Sequence, residues 1–198
     1  MGLEQMRVGV GITGSFCTFR CVEEALIKIA CGTVGGKTID YTFVLSDSVQ
    51  QIENRFSSPA ELEARLQKLS PRPVIKTIPA AEPLGPRHLL DVFVIAPCTG
   101  NTLAKLANGI TDGPVLMAAK GHLRNGKPLL ISLSTNDALG ANLRNIGTLL
   151  NAKNIFFVPF AQDAPAQKPF SLAANLEQLG PALEAALQGE QLQPILSN

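Results

Sequence analysis

Short apolar runs alternate with helical patterns along this chain from one end to the other, with no linker and no internal repeat between them. That alternation constrains the fold more than any other feature. Strands of about five residues separated by helices pair through parallel crossovers, and a sheet built that way carries helices on both faces. The expected fold is α/β: one doubly wound, mostly parallel, six-stranded sheet of Rossmann-like type, in strand order 3-2-1-4-5-6. A length of 198 residues fits one domain, 1–198.

The pattern places strand one at Arg7 to Ile12 and a helix at Thr18 to Cys31, with Val22, Leu26 and Ile29 on one face. Strand two is Tyr41 to Leu45. Ser58-Pro59-Ala60-Glu61 reads as a capping box that opens a helix whose buried stripe is Leu62, Leu66 and Leu69. The proline-rich stretch Pro71 to Pro86 leaves room for a short strand near Val74 to Ile78, and strand four follows at Val92 to Ala96. A helix from Asn101 to Asn108 stops at Gly109, and another runs from Asp112-Gly113-Pro114 to Gly126. Strand five is Pro128 to Leu133, Ala138 to Asn151 is an amphipathic helix, and strand six is Ile155 to Val158. Ala161 to Ser171 reads as a polar loop, before a last helix from Ala173 to Gln188 broken at Gly180-Pro181.

Formal net charge is +1, with acidic and basic residues scattered rather than blocked, which argues against a nucleic-acid-binding face. No apolar run reaches the length of a membrane span, and Met1 to Arg7 lacks a basic segment followed by an apolar one, so a soluble cytoplasmic protein is expected. The four cysteines, Cys17, Cys21, Cys31 and Cys98, do not form two pairs at metal-ligand spacing and read as small buried thiols; no metal is expected. Cys98 reads as a wall residue, and His88 and His122 as surface or capping residues.

In a doubly wound sheet the ligand crevice lies at the carboxyl ends of the strands, where the strand order reverses. The two loops that would flank it have the most unusual composition. After strand one comes Thr13-Gly14-Ser15-Phe16, and after strand four Pro97-Cys98-Thr99-Gly100-Asn101-Thr102. Gly9 to Gly14 match G-x-G-x-x-G, but the first glycines fall inside the strand, and Ser46 stands where a dinucleotide site needs an acid after strand two. A mononucleotide crevice fits better. Gly14 permits a tight turn, and Ser15 and Ser46 offer hydroxyl donors to a phosphate.

These residues, with the continuation Leu103-Ala104-Lys105-Leu106-Ala107-Asn108-Gly109-Ile110-Thr111-Asp112, resemble the flavoprotein family of homo-oligomeric flavin-containing cysteine decarboxylases and flavin prenyltransferases. The resemblance runs from strand one to about Asn151. It implies FMN as cofactor. Gly14, Ser15 and Ser46 would then meet the ribityl phosphate, and Thr99, Gly100, Asn101 and Thr102 the flavin ring and its polar edge, with Phe16 and Pro97 completing the cofactor-binding set. Gly100 would let the backbone approach a flat ring, and Asn101 would offer a donor and an acceptor. The family's self-association implies a homo-oligomer.

The chain also departs from the decarboxylases of the family. Glu82-Pro83-Leu84 stands near the place of their catalytic histidine, and Ser134-Thr135-Asn136 replaces their proline and Met-Asn substrate clamp. Ile131 to Gly140 and Pro159 to Asp163 through Lys168-Pro169 are similar instead to a branch that works as the second subunit of an oxidoreductase. That likeness implies a separate subunit that binds NAD(P), and the oxidation of a dihydrodipicolinate-type substrate to pyridine-2,6-dicarboxylate. Lys105, Arg144 and Lys168 are candidate partners for a dicarboxylate substrate, and Ala161 to Ser171 a candidate lid or partner contact. Two alternatives stay open at this point: a non-catalytic FMN- or phosphate-binding module of a complex, and a stand-alone flavin-dependent decarboxylase or prenyltransferase.

Overall fold

The computed structural model describes residues 4–197; Met1, Gly2 and Leu3 of the N-terminal segment considered above lie outside the described residues. The sheet is built from β1 (Gln5–Ile12), β2 (Thr38–Leu45), β3 (Val92–Cys98), β4 (Leu129–Thr135) and β5 (Ile155–Phe157), with a small hairpin of β6 (Phe160–Ala161) and β7 (Leu172–Ala174). The first five strands pair in parallel in the order β2-β1-β3-β4-β5. Their alternating side chains divide the core in two. Val92, Val94 and Ala96 join Val8, Val10 and Ile12 on one face, whereas Phe93, Ile95 and Cys98 join Leu129, Ile131 and Leu133 on the other.

The helices are α1 (Phe19–Ala30), α2 (Asp47–Gln51), α3 (Pro59–Gln67), α4 (Ile78–Ala81), α5 (Gly100–Ala107), α6 (Pro114–Leu123), α7 (Leu143–Leu150) and α8 (Leu179–Leu187). Val22 and Leu26 of α1, Leu62 and Leu66 of α3 and Leu183 of α8 pack on the first face; Leu103 of α5, Val115 of α6 and Ile146 of α7 pack on the second. The capping box of α3 is complete. Ser58 accepts from the Glu61 backbone N–H at 3.3 Å, and Glu61 accepts from the Ser58 N–H at 2.9 Å.

The glycines of β1 are packing residues. A Cβ on Gly9 would sit 2.5 Å from Leu90 and Phe93, and one on Gly11 would sit 2.7 Å from Val115. They let α6 and the Phe93 ring close on the sheet, so the first two glycines of the G-x-G-x-x-G match are packing residues and only Gly14 reaches the loop.

Four elements differ from the sequence reading. The strand expected at Val74 to Ile78 is one parallel bridge between Ile75 and Val44, held by two 2.9 Å backbone bonds. Pro73 and Pro79 on either side have no N–H with which to extend it. Ile75 lies outside β2, where the third strand was expected, but no strand forms there; the parallel part of the expected order, 2-1-4-5-6, is observed, and the antiparallel hairpin beside β4 is an addition that the order 3-2-1-4-5-6 did not contain.

The helix expected from Ala138 starts at Leu143, because Asp137 to Asn142 are tied into turns by the Asp137 side chain and carbonyl. Ala173 belongs to β7, which pairs with β4 through Ser134↔Ala173 and Thr135↔Leu172. The last helix begins only after a 3-10 turn capped by Asn175. Gly180 and Pro181 fall in its first turn, where a missing N–H costs nothing, so the expected break is absent.

Candidate functional site

The carboxyl ends of β1, β2, β3 and β4 empty toward the same end of the sheet, and the order reverses between β1 and β3. Thr13, buried at 1% exposure, joins the two loops at that point. Its hydroxyl donates to the Pro97 carbonyl at 2.7 Å and accepts from the Thr99 backbone N–H at 3.0 Å. Thr99 then caps α5, accepting from the Thr102 N–H at 3.3 Å. Ser46 is brought alongside by its backbone N–H, which donates to the Ile12 carbonyl at 3.0 Å.

Two clefts open over this junction and share Gly14, Phe16, Thr99 and Asn101. The larger, about 720 Å³, takes in Ser15 and Gly100 and adds Ser134, Thr135, Asp137, Arg55 and Lys168. The smaller, about 370 Å³, takes in Ser46 and Thr102 and adds Ser48, Lys105 and Asp112. Eight of the nine sequence-derived cofactor residues therefore line one cleft or both. Pro97 lines neither, since it is buried behind them with its carbonyl held by Thr13.

The smaller cleft holds a hydroxyl cradle. Ser46 precedes α2 without capping it, and its Oγ lies 3.1 Å from Ser48 Oγ. A Cβ on Gly14 would come within 3.1 Å of that Ser48 oxygen, so glycine keeps the space between the two loops open. Gly14 does so with a backbone outside the left-handed region. Lys105 is tied to Asp112 at 2.6 Å. The side-chain amide of Asn101, exposed on the rim common to both clefts, makes no hydrogen bond among the described residues and is free to meet a ligand.

The larger cleft has a polar wall. Ser15 Oγ and Ser134 Oγ are 2.8 Å apart, which closes the loop after β1 onto the end of β4. Behind them the Asp137 carboxylate accepts from Thr135 Oγ1 and from Asn142 Nδ2, the latter at 2.9 Å to each oxygen, and Asn145 donates to Asn142 at 2.9 Å. Gly100 faces this cluster. A Cβ there would lie 2.5 Å from Thr135 Oγ1, 2.6 Å from Asn142 Nδ2 and 2.7 Å from Asp137 Oδ1. The glycine is required by the wall behind it, a reason beyond the approach of a ring that the sequence suggested.

Two expectations change, for the cysteines and for His122. Cys17, Cys21 and Cys31 are exposed, and Cys17 lines the larger cleft; only Cys98 is buried, where burial pushes its thiol pKa well up and disqualifies it as a nucleophile. His122 is buried, not a surface residue. Its Nε2 lies 3.0 Å from the Pro128 carbonyl, and burial lowers its pKa to about 4. His88 is exposed as expected, with its carbonyl accepting from Arg7 at 3.0 Å. Both histidines lie at the amino ends of the strands, away from the clefts.

Of the candidate cations, Lys105 and Lys168 line clefts, whereas Arg144 is exposed on α7 and lines neither. Sequence reasoning missed Arg55, Phe56, Thr13 and the Asp137 cluster. Arg55 and Phe56 sit in a turn without periodicity or motif, so nothing in the sequence points to them.

Comparison with known proteins gives the family. Residues 2–174 match the model of the family described as Flavoprotein. The chain belongs to that family. It is 43% identical over 194 residues to the B subunit of dipicolinate synthase of Bacillus subtilis (strain 168), covering 98% of this chain and 94% of the relative. The crystal structure of the dipicolinate synthase B subunit from Bacillus halodurans C is 42% identical and superposes with a TM-score of 0.87, covering 100% of this chain and 99% of that one. A dodecameric FMN-dependent Ubix-like decarboxylase from Escherichia coli O157:H7 shares the fold at 22% identity and a TM-score of 0.60, over 78% of this chain and 80% of that one. Within this flavoprotein chain, no group of side chains suited to a metal ion occurs among the described residues.

Proposed function

We propose that this chain is the FMN-binding B subunit of a dipicolinate synthase. In that role it works with an NAD(P)-binding A subunit to oxidise a dihydrodipicolinate-type substrate to dipicolinate during sporulation. The observation that carries the reading is the pair of clefts joined over Gly14, Phe16, Thr99 and Asn101, in a chain similar over nearly its whole length to B subunits of that enzyme.

The residues present fit FMN. Its phosphate calls for N–H and hydroxyl donors, which the Ser46, Ser48 and Gly14 cradle supplies. Its ring calls for a cleft within the usual ligand-site range of roughly 300–1,000 Å³ and a few directed polar groups, which Phe16, Thr99 and Asn101 provide where the clefts meet. Bound there, FMN supplies a two-electron acceptor. Aromatising the substrate ring removes two hydrogens, one as hydride to an acceptor and one as a proton. Within this chain Asn101 orients the bound ring, and Ser15 and Ser134, 2.8 Å apart, close the loop after β1 onto the end of β4 beside it. No histidine lines either cleft, which speaks against an imidazole base.

Self-association belongs to the same reading, since the similar Escherichia coli protein is dodecameric by name. The test is a titration of the purified chain with FMN, followed by quenching of flavin fluorescence, together with reconstitution with the NAD(P)-binding partner. Saturable binding is expected, weakened about tenfold by Ser46→Ala combined with Ser48→Ala. Absence of FMN uptake, or full turnover of dihydrodipicolinate by the NAD(P)-binding partner on its own, would overturn the proposal.

A further inference from the structure

Two cations reach the larger cleft from two different loops, and neither was positioned by the motif residues. Arg55 stands in the turn closed by the Asn54–Ser57 bridge, where Asn54 Oδ1 accepts the backbone N–H groups of Phe56 at 2.9 Å and Ser57 at 3.2 Å. Its guanidinium carbon lies 4.8 Å from the centre of the exposed Phe56 ring. It has no carboxylate partner among the described residues, unlike Arg7, Arg65 and Arg72, which pair with Asp91, Glu23 and Asp40. Lys168 comes from the loop between β6 and β7 and touches Asp163 at 3.3 Å, a loose contact between two solvent-reaching groups.

Two cations and two carboxylates line this cleft. Asp163 meets Lys168 and Asp137 has both oxygens bonded to Thr135 and Asn142, which leaves the Arg55 guanidinium as the charged group of the wall with no hydrogen-bond or ion-pair partner among the described residues. The same cleft is lined by Ser15, Ser134 and Ser171 and by the Phe56 ring. A guanidinium engages a carboxylate through two parallel hydrogen bonds, an ammonium through one point charge, and an aromatic ring stacks on either the guanidinium or Phe56.

We infer that Arg55 and Lys168 are the carboxylate-binding pair of the larger cleft and select a planar aromatic or near-aromatic dicarboxylate. The inference rests on the reading of this chain as part of a dipicolinate synthase, from which the class of substrate comes. The anionic oxygens of a flavin phosphate have the same chemistry. The hydroxyl cradle suited to a phosphate, however, lies in the smaller cleft, which neither cation lines.

Calorimetric titration of the full chain with pyridine-2,6-dicarboxylate, with and without FMN, tests the pair in the wild type, Arg55→Gln, Lys168→Gln and the double variant. Each single change is expected to weaken binding about tenfold and the double change about a hundredfold, with Arg55→Lys recovering part of the loss. Pyridine-2-carboxylate should be weaker and respond to one of the two changes. Thermal melts should match the wild type, because both side chains are exposed. Unchanged dicarboxylate affinity in the double variant, or no binding by the wild type, overturns the inference. So does a loss confined to FMN with riboflavin unaffected, which would place the cations on the phosphate. Failure of the flavin reading shows itself separately, as absent FMN uptake with dicarboxylate binding intact, and leaves the pair standing.

Discussion

Replacing Gly100 by alanine tests whether the wall behind the clefts is as tightly built as its distances say. The new Cβ would lie 2.5–2.7 Å from Thr135 Oγ1, Asn142 Nδ2 and Asp137 Oδ1, against an ordinary contact that begins near 3.4 Å. Three polar atoms held to one another must move by more than half an ångström, and none is the loose end of a long side chain. Overpacking of this kind costs about 1–3 kcal/mol. Loosening the bonds that Asn142 donates to a charged carboxylate adds about 1.5–3 kcal/mol. The helix preference for alanine over glycine returns at most about 1 kcal/mol. The net loss is about 1.5–5 kcal/mol, which at roughly 2–4 °C per kcal/mol for a chain of this size lowers the melting temperature by about 3–20 °C.

Urea and thermal denaturation of Gly100→Ala beside Gly147→Ala isolates the cause. Gly147 lies within α7, and a methyl group placed on it would meet nothing within 4 Å, so the same substitution there should be neutral or stabilise by up to about 1 kcal/mol. In an Asn142→Ala background the penalty at Gly100 should shrink, because one of the three crowded atoms is gone. A Gly100→Ala protein as stable as the wild type would refute the reasoning.

His122 makes stability depend on pH. Burial lowers its pKa to about 4 from an unfolded value of 6.5, so between those values the unfolded chain binds the extra proton, and stability falls as pH drops from 6.5 toward 4. The loss is on the order of 3 kcal/mol, and urea midpoints of His122→Gln should be flat over the same interval if the histidine is responsible. Alkylation under native conditions should modify Cys17, Cys21 and Cys31 and spare Cys98 until urea is added, as counted by mass spectrometry; rapid labelling of Cys98 in the folded protein would contradict its burial.

Much of the sheet was legible because its signals are local. Val92, Val94 and Ala96 against Phe93 and Ile95 form a continuous apolar run, as a strand buried on both faces requires, and Ser58 to Glu61 writes a helix start in four residues. The β6–β7 hairpin was not legible, since strands of two and three residues show no period and Ala173 reads equally well as helix. The start of α7 was missed for a related reason. Its delay comes from a side-chain bond between Asp137 and Asn142 that competes with the helix, and no periodicity records such competition.

The sequence by itself determined the α/β class, the five parallel strands and the loops that carry the site, because hydrophobic period, caps and glycines act within a few residues of each other. It also placed Gly14, Ser15, Ser46 and Thr99 to Thr102 at the strand ends, as a doubly wound sheet must. Only the tertiary structure decided that these residues divide between two clefts, that Pro97 stands behind them, and that Gly100 answers to Asp137 rather than to open space. It alone brought Arg55 and Lys168, more than a hundred positions apart, to one cleft. The physical reason is range. A cap or a strand period is settled by neighbours in the chain, whereas a cleft is settled by which loops the packed helices leave facing each other.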